Sequence, residues 1–317
     1  MSKNNQWILV TGGAGFIGSC LSRRLLKLGY NVIIVDNIST GKLGNIPENA
    51  VFIEGDIQNQ KILSRLNDYL IICIFHFSAQ SSGEISFDNP VRDLQDNVQS
   101  TLMLCDFMRK KAIPKIIYSS SMIVYGSPET FPCKEGDAVI ENANGFYGIG
   151  KLASENYLRL YEKNYNIKHH SLRFQTIYGP GQNMDNLRQG MVSIFIEQIL
   201  KNYDPVIVKG DLNRFRDLLH IDDLIEILII FLQNDLPSGV VNCGTGIKTT
   251  FKEVLRYITE ETNSNPKIVS TGSTLGDIFG AQADITRMLE YTNYKPKIGP
   301  EEGVKSYARW YSEICNS

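Results

Sequence analysis

The chain has 317 residues, of which 43% are hydrophobic and 21% are charged, and its formal net charge is −2. This length and composition exclude a disordered chain and predict one large globular domain or two smaller ones. The near-neutral charge argues against a nucleic-acid partner.

The apolar runs are too short for a signal peptide or a membrane span. The N-terminal run is only WILV, and the runs over 69–77 and 225–232 fall below the roughly 18 residues that a membrane span needs. The six cysteines are scattered, with no CxxC pair. We therefore expect a cytoplasmic protein with reduced thiols, no membrane partner, no disulfide framework and no metal site.

Apolar runs alternate with helical patterns through the first half of the chain. The first strand, WILVTGG, is followed by a helical pattern, FIGSCLSRRLLKLGY, that stops at Gly29. Further strands are predicted at NVIIVDN, 51–56, 71–78, 115–121 and 169–174, with helices near 91–111 and 151–165. Strands this apolar are buried on both faces, so the pattern predicts an α/β fold with a Rossmann-type doubly wound parallel sheet.

The alternation breaks after Gln175. A segment rich in Gly, Asn and Gln (179–195) precedes a helix over 192–201, a core helix with an Asp cap over 217–233, and a strand over 240–246. We expect a first lobe of residues 1–175, to which 213–243 return. Residues 176–212 and 244–317 then form a smaller C-terminal lobe.

A glycine-rich turn joins the first strand to the first helix. In VTGGAGFIG, Gly12, Gly15 and Gly18 allow a tight turn, a close pyrophosphate and close helix packing, and the helix N-terminus attracts phosphate. The spacing is GxxGxxG rather than the commoner GxGxxG. Asp36 ends the second strand about 20 residues later, where an acid binds the ribose hydroxyls. The pattern predicts a dinucleotide site that prefers NAD to NADP.

The stretch YGIGK contains a tyrosine and a lysine four residues apart, Tyr147 and Lys151. Both side chains lie on one helical face, and a cation beside a tyrosine favours the phenolate. Such a tyrosine can take a proton from a sugar hydroxyl while hydride leaves the same carbon. Serines 119–121 end a strand, where a doubly wound sheet binds its ligands, although alone they would indicate only a polar turn.

The motifs together resemble a known family over essentially the whole chain. In chain order they are VTGGAGFIG, VDNIST, GDI at 55–57, FHFSAQ at 75–80, Asn97, SSSMIVYG, YGIGK, LRFQTIYGPGQ, RDLLHIDDL and VNCGTG. This ordered set resembles the NAD-dependent nucleotide-sugar epimerase/dehydratase branch of the extended short-chain dehydrogenase/reductase family, most of all UDP-glucose 4-epimerases. The resemblance implies an NAD-binding first lobe and a substrate-binding second lobe. It also implies a nucleotide-sugar substrate, a homodimer formed by the helices near 97–111 and 151–165, and a place in polysaccharide biosynthesis.

The resemblance also implies individual roles. Tyr147 is the acid/base, Lys151 holds the nicotinamide ribose and lowers the pKa of Tyr147, and Ser121 binds the substrate hydroxyl. Arg216 binds the substrate diphosphate, with a surface salt bridge to Asp217 as the alternative. The cofactor residues implied are Gly12, Gly15, Phe16, Ile17, Gly18, Asp36, Asn37, Asp56, Ile57, Phe77, Ser78, Ala79, Asn97, Ser119, Tyr147 and Lys151. The substrate residues implied are Ser121, Tyr147, Thr176 and Arg216.

Three positions depart from the family pattern. Thr176 replaces an asparagine, Thr274 replaces a second diphosphate arginine, and Ala281 aligns with a large aromatic residue. The last change implies a roomier sugar pocket. We hypothesise that Arg214 supplies the missing charge.

The sequence favours an NAD-dependent epimerase of a nucleotide-linked hexose, acting at C4 through a transient 4-keto sugar. A nucleotide-sugar C4 dehydrogenase or reductase with net NAD(H) turnover is the alternative, and the triad does not separate the two. Met122 and Ile123 cannot move protons, which argues against a 4,6-dehydratase. A dinucleotide sensor has no need of the intact triad.

The four histidines are predicted to be structural rather than catalytic. His76 is expected to be a core residue with its hydrogen bonds satisfied. His169 and His170 are expected at a strand edge, and His220 next to a helix start. Their dispersal argues against a metal site.

Overall fold

The computed structural model of the chain describes residues 5–186, 188, 190–273, 275–276 and 278–315. The strands of this described part are β1 (Gln6–Thr11), β2 (Asn31–Asp36), β3 (Val51–Glu54), β4 (Leu70–His76), β5 (Lys115–Ser121), β6 (Lys168–Phe174), β7 (Thr176–Tyr178), β8 (Val206–Lys209), β9 (Phe215–His220), β10 (Gly239–Cys243), β11 (Lys248–Thr250) and β12 (Ile268–Thr271).

The helices of the same part of the chain are α1 (Phe16–Lys27), α2 (Gln60–Ser64), α3 (Gly83–Ser86), α4 (Pro90–Leu94), α5 (Ser100–Lys111), α6 (Phe146–Tyr165), α7 (Met191–Leu200), α8 (Ile221–Gln233), α9 (Phe251–Thr262), α10 (Thr286–Thr292) and α11 (Pro300–Cys315). A π-helical turn, Gln95–Gln99, joins α4 to α5. None of the helices described is both long and apolar enough to cross a membrane.

Seven parallel strands form the central sheet, in the order β10-β6-β5-β4-β1-β2-β3. All seven strands predicted from apolar runs lie in this sheet, which confirms the Rossmann-type α/β fold. The order reverses between β1 and β4, and ligands of such sheets bind at the carboxyl ends of the strands beside this reversal.

Both faces of the central sheet are buried, because successive residues of a strand point to opposite faces. In β1, Ile8 and Val10 join a core shared with α1 and α8, whereas Leu9 joins a core shared with α5 and α6. All three side chains are fully buried. The helices that carry candidate functional residues, α1 and α6, are therefore fixed against opposite faces of one sheet.

Two smaller sheets lie outside the central one, with strand orders β11-β9-β7 and β12-β8. A separate apolar core joins β8 and β9 to α7, α9 and α11. Within segment 213–243, β10 pairs with β6 of the central sheet and β9 pairs with β7 and β11. The proposed division into two lobes stays a prediction.

Two helix predictions were wrong in their limits. Residues 217–220 belong to β9 rather than to a helix, and the cap of α8 is His220, whose Nδ1 accepts the Asp222 N–H at 3.3 Å, rather than an aspartate. Helix α6 begins at Phe146 instead of near Lys151, so Tyr147 lies in its first turn. At 217–220 the apolar pattern continues across the true boundary, whereas at α6 the two glycines of YGIGK obscure the start of the helix.

Candidate active site

The glycine-rich turn brings β1, α1 and the segment after β4 close together. Gly12 has a φ of +71°, and a Cβ there would lie 2.7 Å from the backbone nitrogen of Ser78. A Cβ on Gly18 would lie 2.3 Å from the carbonyl oxygen of Gly12. Gly15 begins α1 without a side-chain cap. The turn therefore leaves the N-terminus of α1 open to an anion such as a pyrophosphate.

The predicted ribose-binding acid is held beside this turn. Asp36 is buried at the end of β2, where its Oδ2 accepts the Ala14 N–H at 2.9 Å and its Oδ1 accepts the Ile38 N–H at 2.8 Å. An ionised carboxylate has about four acceptor positions, so two remain for ribose hydroxyls. The next residue, Asn37, donates to Asp56 Oδ2 at 3.4 Å, which brings two of the predicted cofactor residues together.

The other predicted cofactor residues follow the neighbouring strands. Phe77 N–H and Ser78 N–H donate to the backbone and side-chain oxygens of Thr11 at 3.1 and 3.3 Å. Ser119 Oγ donates to the carbonyl of His76 at 3.0 Å. Ala79 follows Ser78 directly in the chain. Phe16 and Ile17, at the start of α1, pack against the core. The side chain of Ile57 is itself part of the core.

Asn97 lies in the π-helical turn and is 1% exposed. Its Nδ2 donates to the carbonyl of Gln80 at 3.1 Å and to Asp93 Oδ1 at 3.1 Å. Its Oδ1 has no donor among the described residues. Buried acceptors are almost always paired, so this oxygen marks a place for a water or ligand donor. Together with the open glycine turn and Asp36, it fits a bound dinucleotide.

The predicted triad is assembled at the carboxyl end of β5. The Ser121 side chain lies beside the phenol of Tyr147, whose pKa it lowers, and its Oγ accepts the Ile123 N–H at 3.4 Å. Lys151 donates from Nζ to the carbonyl of Ser119 at 2.8 Å, and its Nζ lies 5.5 Å from the ring centroid of Tyr147. The glycines of YGIGK permit this packing, since a Cβ on Gly148 would lie 3.1 Å from the carbonyl oxygen of Ile123.

The electrostatics of the triad differ from the sequence expectation. Burial raises the pKa of Tyr147 well above its usual value; the neighbouring Ser121 hydroxyl lowers this pKa and the negative charge of Asp93 raises it. Burial also lowers the pKa of Lys151 to about 7, against the opposing effects of Asp93 and Glu155. In the protein alone, the net pKa of Tyr147 is therefore raised rather than lowered. The reason is that burial disfavours the charged form of both the tyrosine and the lysine.

Sequence reasoning missed two buried acids in this centre. Asp93 accepts from Gln80 Nε2 at 2.9 Å and from Asn97, and burial raises its pKa to about 6. Glu155 forms an ion pair with Arg173, and all three charged side chains are at most 4% exposed. The four-residue spacing of Glu155 from Lys151, and of Asp93 from Asn97, was the available signal.

The predicted diphosphate arginine is buried in β9. Arg216 is 5% exposed, donates to the carbonyls of Phe215 and Ile278 at 2.8 and 3.1 Å, and lies 5.3 Å from the Phe251 ring. Asp217 is fully buried and accepts from Thr245 N–H at 2.7 Å. The alternative of a surface salt bridge between Arg216 and Asp217 was therefore wrong.

A second arginine flanks the same aromatic ring. Arg214 lies 4.8 Å from the Phe251 ring centroid and donates to the carbonyl of Lys209 at 2.7 Å. Thr176 is half-buried, with its hydroxyl 3.9 Å from the sulfur of Met122. Thr274, the third departure from the family pattern, lies outside the described residues.

A narrow space lies beside the segment that follows Ser121. Met122, Tyr125, Gln175 and Ala281 are among the residues that line it, and it is too narrow to admit a water molecule. Ala281 is 5% exposed. The roomier sugar pocket that the resemblance implies at this position stays a prediction.

The histidines occupy structural positions, and two of them lie elsewhere in the sheet than predicted. His76 is 1% exposed and bonds Thr11 and Thr101 through its two ring nitrogens, and burial lowers its pKa to about 3. His169 and His170 lie buried within β6, between β5 and β10, and not at a strand edge. No cluster of three His, Cys, Asp or Glu side chains that suits a metal occurs in the described part of the chain.

This fold and its glycine-rich turn define a dinucleotide-dependent enzyme. The model of the NAD dependent epimerase/dehydratase family matches residues 8–244. The chain belongs to this family.

Relatives of known name agree with this assignment. A putative UDP-glucose 4-epimerase of Methanocaldococcus jannaschii is 34% identical over 96% of this chain and 97% of its own length. The crystal structure of Thermotoga maritima UDP-glucose 4-epimerase with UDP-glucose is 32% identical, with a TM-score of 0.93 over 98% of this chain and 99% of that one. The Thermus thermophilus UDP-glucose 4-epimerase complex with NAD is 30% identical, with a TM-score of 0.89 over 96% of this chain and 98% of that one. The chain is thus an NAD-dependent member of the epimerase family.

Proposed function

We propose that this protein is an NAD-dependent C4 epimerase of a nucleotide-linked hexose, with a UDP-sugar as its substrate. The observation that carries the proposal is the position of Ser121 beside Tyr147, with Lys151 one helical turn away, at the carboxyl end of β5. The names of the similar UDP-glucose 4-epimerases support the choice of substrate.

The site supports proton transfer at one sugar hydroxyl. A hydroxyl that contacts both Ser121 and Tyr147 is held by the serine and gives its proton to the phenolic oxygen as the alcohol becomes a ketone. NAD supplies the hydride acceptor and donor for that carbon. Tyr147 returns the proton to the same oxygen once the 4-keto sugar has turned its other face. Reactant and product then differ only at C4.

The proton transfer requires help from charge, because burial raises the pKa of Tyr147. Whenever Lys151 is protonated, it places a positive charge 5.5 Å from the ring centroid of Tyr147, which favours the phenolate. The substrate diphosphate is anionic and suits the guanidinium of Arg216. We assign the remaining cofactor and substrate residues as the family resemblance implies them.

The test is product analysis by NMR with UDP-, GDP- and dTDP-hexoses, a trace of NAD and absorbance at 340 nm. A new C4 epimer without lasting NADH supports the proposal. NADH that rises in proportion to added NAD would instead indicate the net dehydrogenase. Without any turnover, and with NAD still bound, the protein would be a dinucleotide sensor.

We further propose that the protein is a homodimer built on α5 and α6. Three apolar side chains of α6, Ile149, Tyr157 and Leu160, are 38–43% exposed and share one face of the helix. Apolar faces of this kind are commonly covered by a partner. Light scattering tests the dimer, with Leu160→Glu expected to produce a monomer.

A cytoplasmic location and a place in polysaccharide biosynthesis complete the proposal. Free buried thiols, including Cys73, Cys105 and Cys243, suit a reducing compartment. Deletion of the gene is expected to remove one hexose from a cell-surface polysaccharide. An unchanged sugar composition would contradict this placement.

A further inference from the structure

The carboxyl end of β5 is joined to the catalytic helix by three contacts, one for each consecutive serine. Residues 147, 151 and 155 follow one another at four-residue spacing and therefore share one face of α6. The three contacts are Ser121 with Tyr147, the Ser119 carbonyl with Lys151, and the Ser120 hydroxyl with Glu155. The first two contacts belong to the triad, whereas the third has no place in the chemistry proposed above.

The third contact is anchored by a buried ion pair. Glu155 accepts from Arg173 Nε at 2.9 Å and from Arg173 Nη2 at 2.8 Å, in the bidentate geometry that fixes both groups. Ser120, Glu155 and Arg173 are 2%, 4% and 3% exposed. A carboxylate held in this way cannot change its position without leaving a buried charge unpaired, which is costly.

Arg173 is itself held from two further sides. Its Nη1 donates to the hydroxyl of Tyr125 at 3.1 Å and to the carbonyl of Glu135 at 2.8 Å. Tyr125 in turn bonds Asn242 in β10. Hydrogen bonds through Arg173 thus link α6 to β6, to β10 and to the segment that follows Ser121. Each of the three guanidinium nitrogens has a defined acceptor.

We infer that Glu155, held by Arg173 and bonded to Ser120, is a positioning residue that sets the separation between Tyr147 and Ser121. The inference deepens the proposed function and rests on it, because the separation matters only if both hydroxyls contact one sugar hydroxyl. Glu155 touches neither serine nor tyrosine of the triad, and it acts through the register of α6 on β5.

The test replaces only the hydroxyl of the third contact. Ser120→Ala removes the donor to Glu155 and leaves the Glu155–Arg173 ion pair in place, so the variant is expected to fold. Ser171→Ala is the matched control, since Ser171 is a fully buried serine of neighbouring β6 whose hydroxyl forms a hydrogen bond with His169 Nδ1 at 3.1 Å. Both variants are compared with the wild-type protein containing NAD.

The first readout is amide hydrogen exchange, which does not depend on activity. Ser120→Ala is expected to speed exchange in the first two turns of α6, and Ser171→Ala is expected to leave it unchanged. Equal exchange rates in Ser120→Ala and the wild type would contradict the claim that the Ser120–Glu155 contact holds α6 against β5. The exchange comparison can be made even if the wild-type protein acts on no sugar of the panel. Such inactivity would contradict the proposed function and would leave the structural role of Glu155 open to this test.

The second readout is whether the substitution changes kcat or KM. Misplacement of a reacting group by a fraction of an ångström lowers kcat, so Ser120→Ala is expected to lower kcat about tenfold with KM and NAD affinity unchanged. The acidic limb of its kcat profile is expected to move to higher pH, because a more distant Ser121 hydroxyl lowers the pKa of Tyr147 less while Asp93 and Lys151 are unchanged. A kcat and a pH profile equal to those of Ser171→Ala would overturn the inference.

Discussion

The ammonium group of Lys151 donates to the backbone carbonyl of Ser119 at 2.8 Å from a side chain that is 1% exposed. The lysine is therefore fixed and dehydrated before any cofactor is considered. Burial lowers its pKa to about 7 from an ordinary value of 10.5. The unfolded chain binds the proton more tightly than the folded one, so this lysine makes stability depend on pH.

We predict the sign of that dependence. Below pH 7 the lysine is charged in both states, and the folded protein bears the full cost of the buried charge. Between about pH 7 and pH 10 the folded protein releases the proton first, so its free energy of unfolding rises by up to about 1.4 kcal/mol per pH unit from this group. Lys151→Met is expected to lose this rise.

The measurement is urea unfolding at several pH values, with equal NAD content in every preparation. The stability advantage of Lys151→Met over the wild type should be largest near pH 7 and should shrink toward pH 10. Lys163→Met, which changes an exposed lysine of the same helix, is the control. A constant difference across this range would contradict the lowered pKa.

Removal of the proposed acid/base should abolish turnover without removing the cofactor. Tyr147→Phe deletes only the phenolic oxygen and is expected to lower kcat by at least about 100-fold, the usual range for general acid–base catalysis. NAD affinity, measured by titration calorimetry, should change little. Tyr157→Phe alters an exposed tyrosine of α6 and should retain full activity. Wild-type turnover by Tyr147→Phe would remove the tyrosine from the mechanism.

Asp36 should determine both the affinity for NAD and the preference over NADP. Asp36→Ala removes the carboxylate that accepts from Ala14 and Ile38 and that repels a 2′-phosphate. We expect NAD to bind about tenfold more weakly, with a smaller loss for NADP. Asp68→Ala, at an exposed position, is the control. An unchanged ratio of the two dissociation constants would contradict the role of Asp36.

The two arginines beside Phe251 should affect substrate binding more than chemistry. Arg216→Ala is expected to raise the nucleotide-sugar KM by about tenfold or more, because a charge-assisted contact to the diphosphate is lost. Arg214→Ala should also raise KM, since Arg214 fixes the end of β8 and lies against the same ring. Arg256→Ala, at an exposed position on α9, should not. Equal KM values in Arg214→Ala and Arg256→Ala would contradict the hypothesis for Arg214.

The size of residue 281 should affect which sugars are accepted. Ala281→Tyr is expected to crowd its neighbours Met122 and Gln175 and to lower activity more on UDP-N-acetylglucosamine than on UDP-glucose. The kcat/KM for each sugar is measured in the wild type and in the variant, and the ratio between the two sugars is compared. The same ratio in both proteins would show that residue 281 does not contact the sugar.

The sequence predicted the central sheet well, because its strands are apolar on both faces. It failed at 217–220, where the apolar residues of β9 lead directly into those of α8 and Asp217 resembled a helix cap. The cap there is His220, whose ring replaces the expected aspartate. Periodicity alone cannot find a boundary between two buried elements.

The site was predicted as far as its motifs reach. The glycine turn, Asp36 and the Tyr147–Lys151 pair have local spacing that reflects their chemistry. The four-residue spacing of Glu155 from Lys151 places Glu155 on the same helical face, but no local pattern reveals its partner Arg173, because charged residues are usually exposed and this contact joins a helix to a strand. The raised pKa of Tyr147 was also beyond sequence reasoning, because it depends on how completely neighbouring elements exclude water.

The most direct test of the central claim uses UDP-glucose labelled with deuterium at C4. The account predicts UDP-galactose that retains the label at C4, formed in unlabelled water, without lasting absorbance at 340 nm. Such retention requires that the hydride leave C4 and return to it within one closed site. Accumulation of NADH in proportion to added NAD, or loss of the label to solvent, would contradict the account.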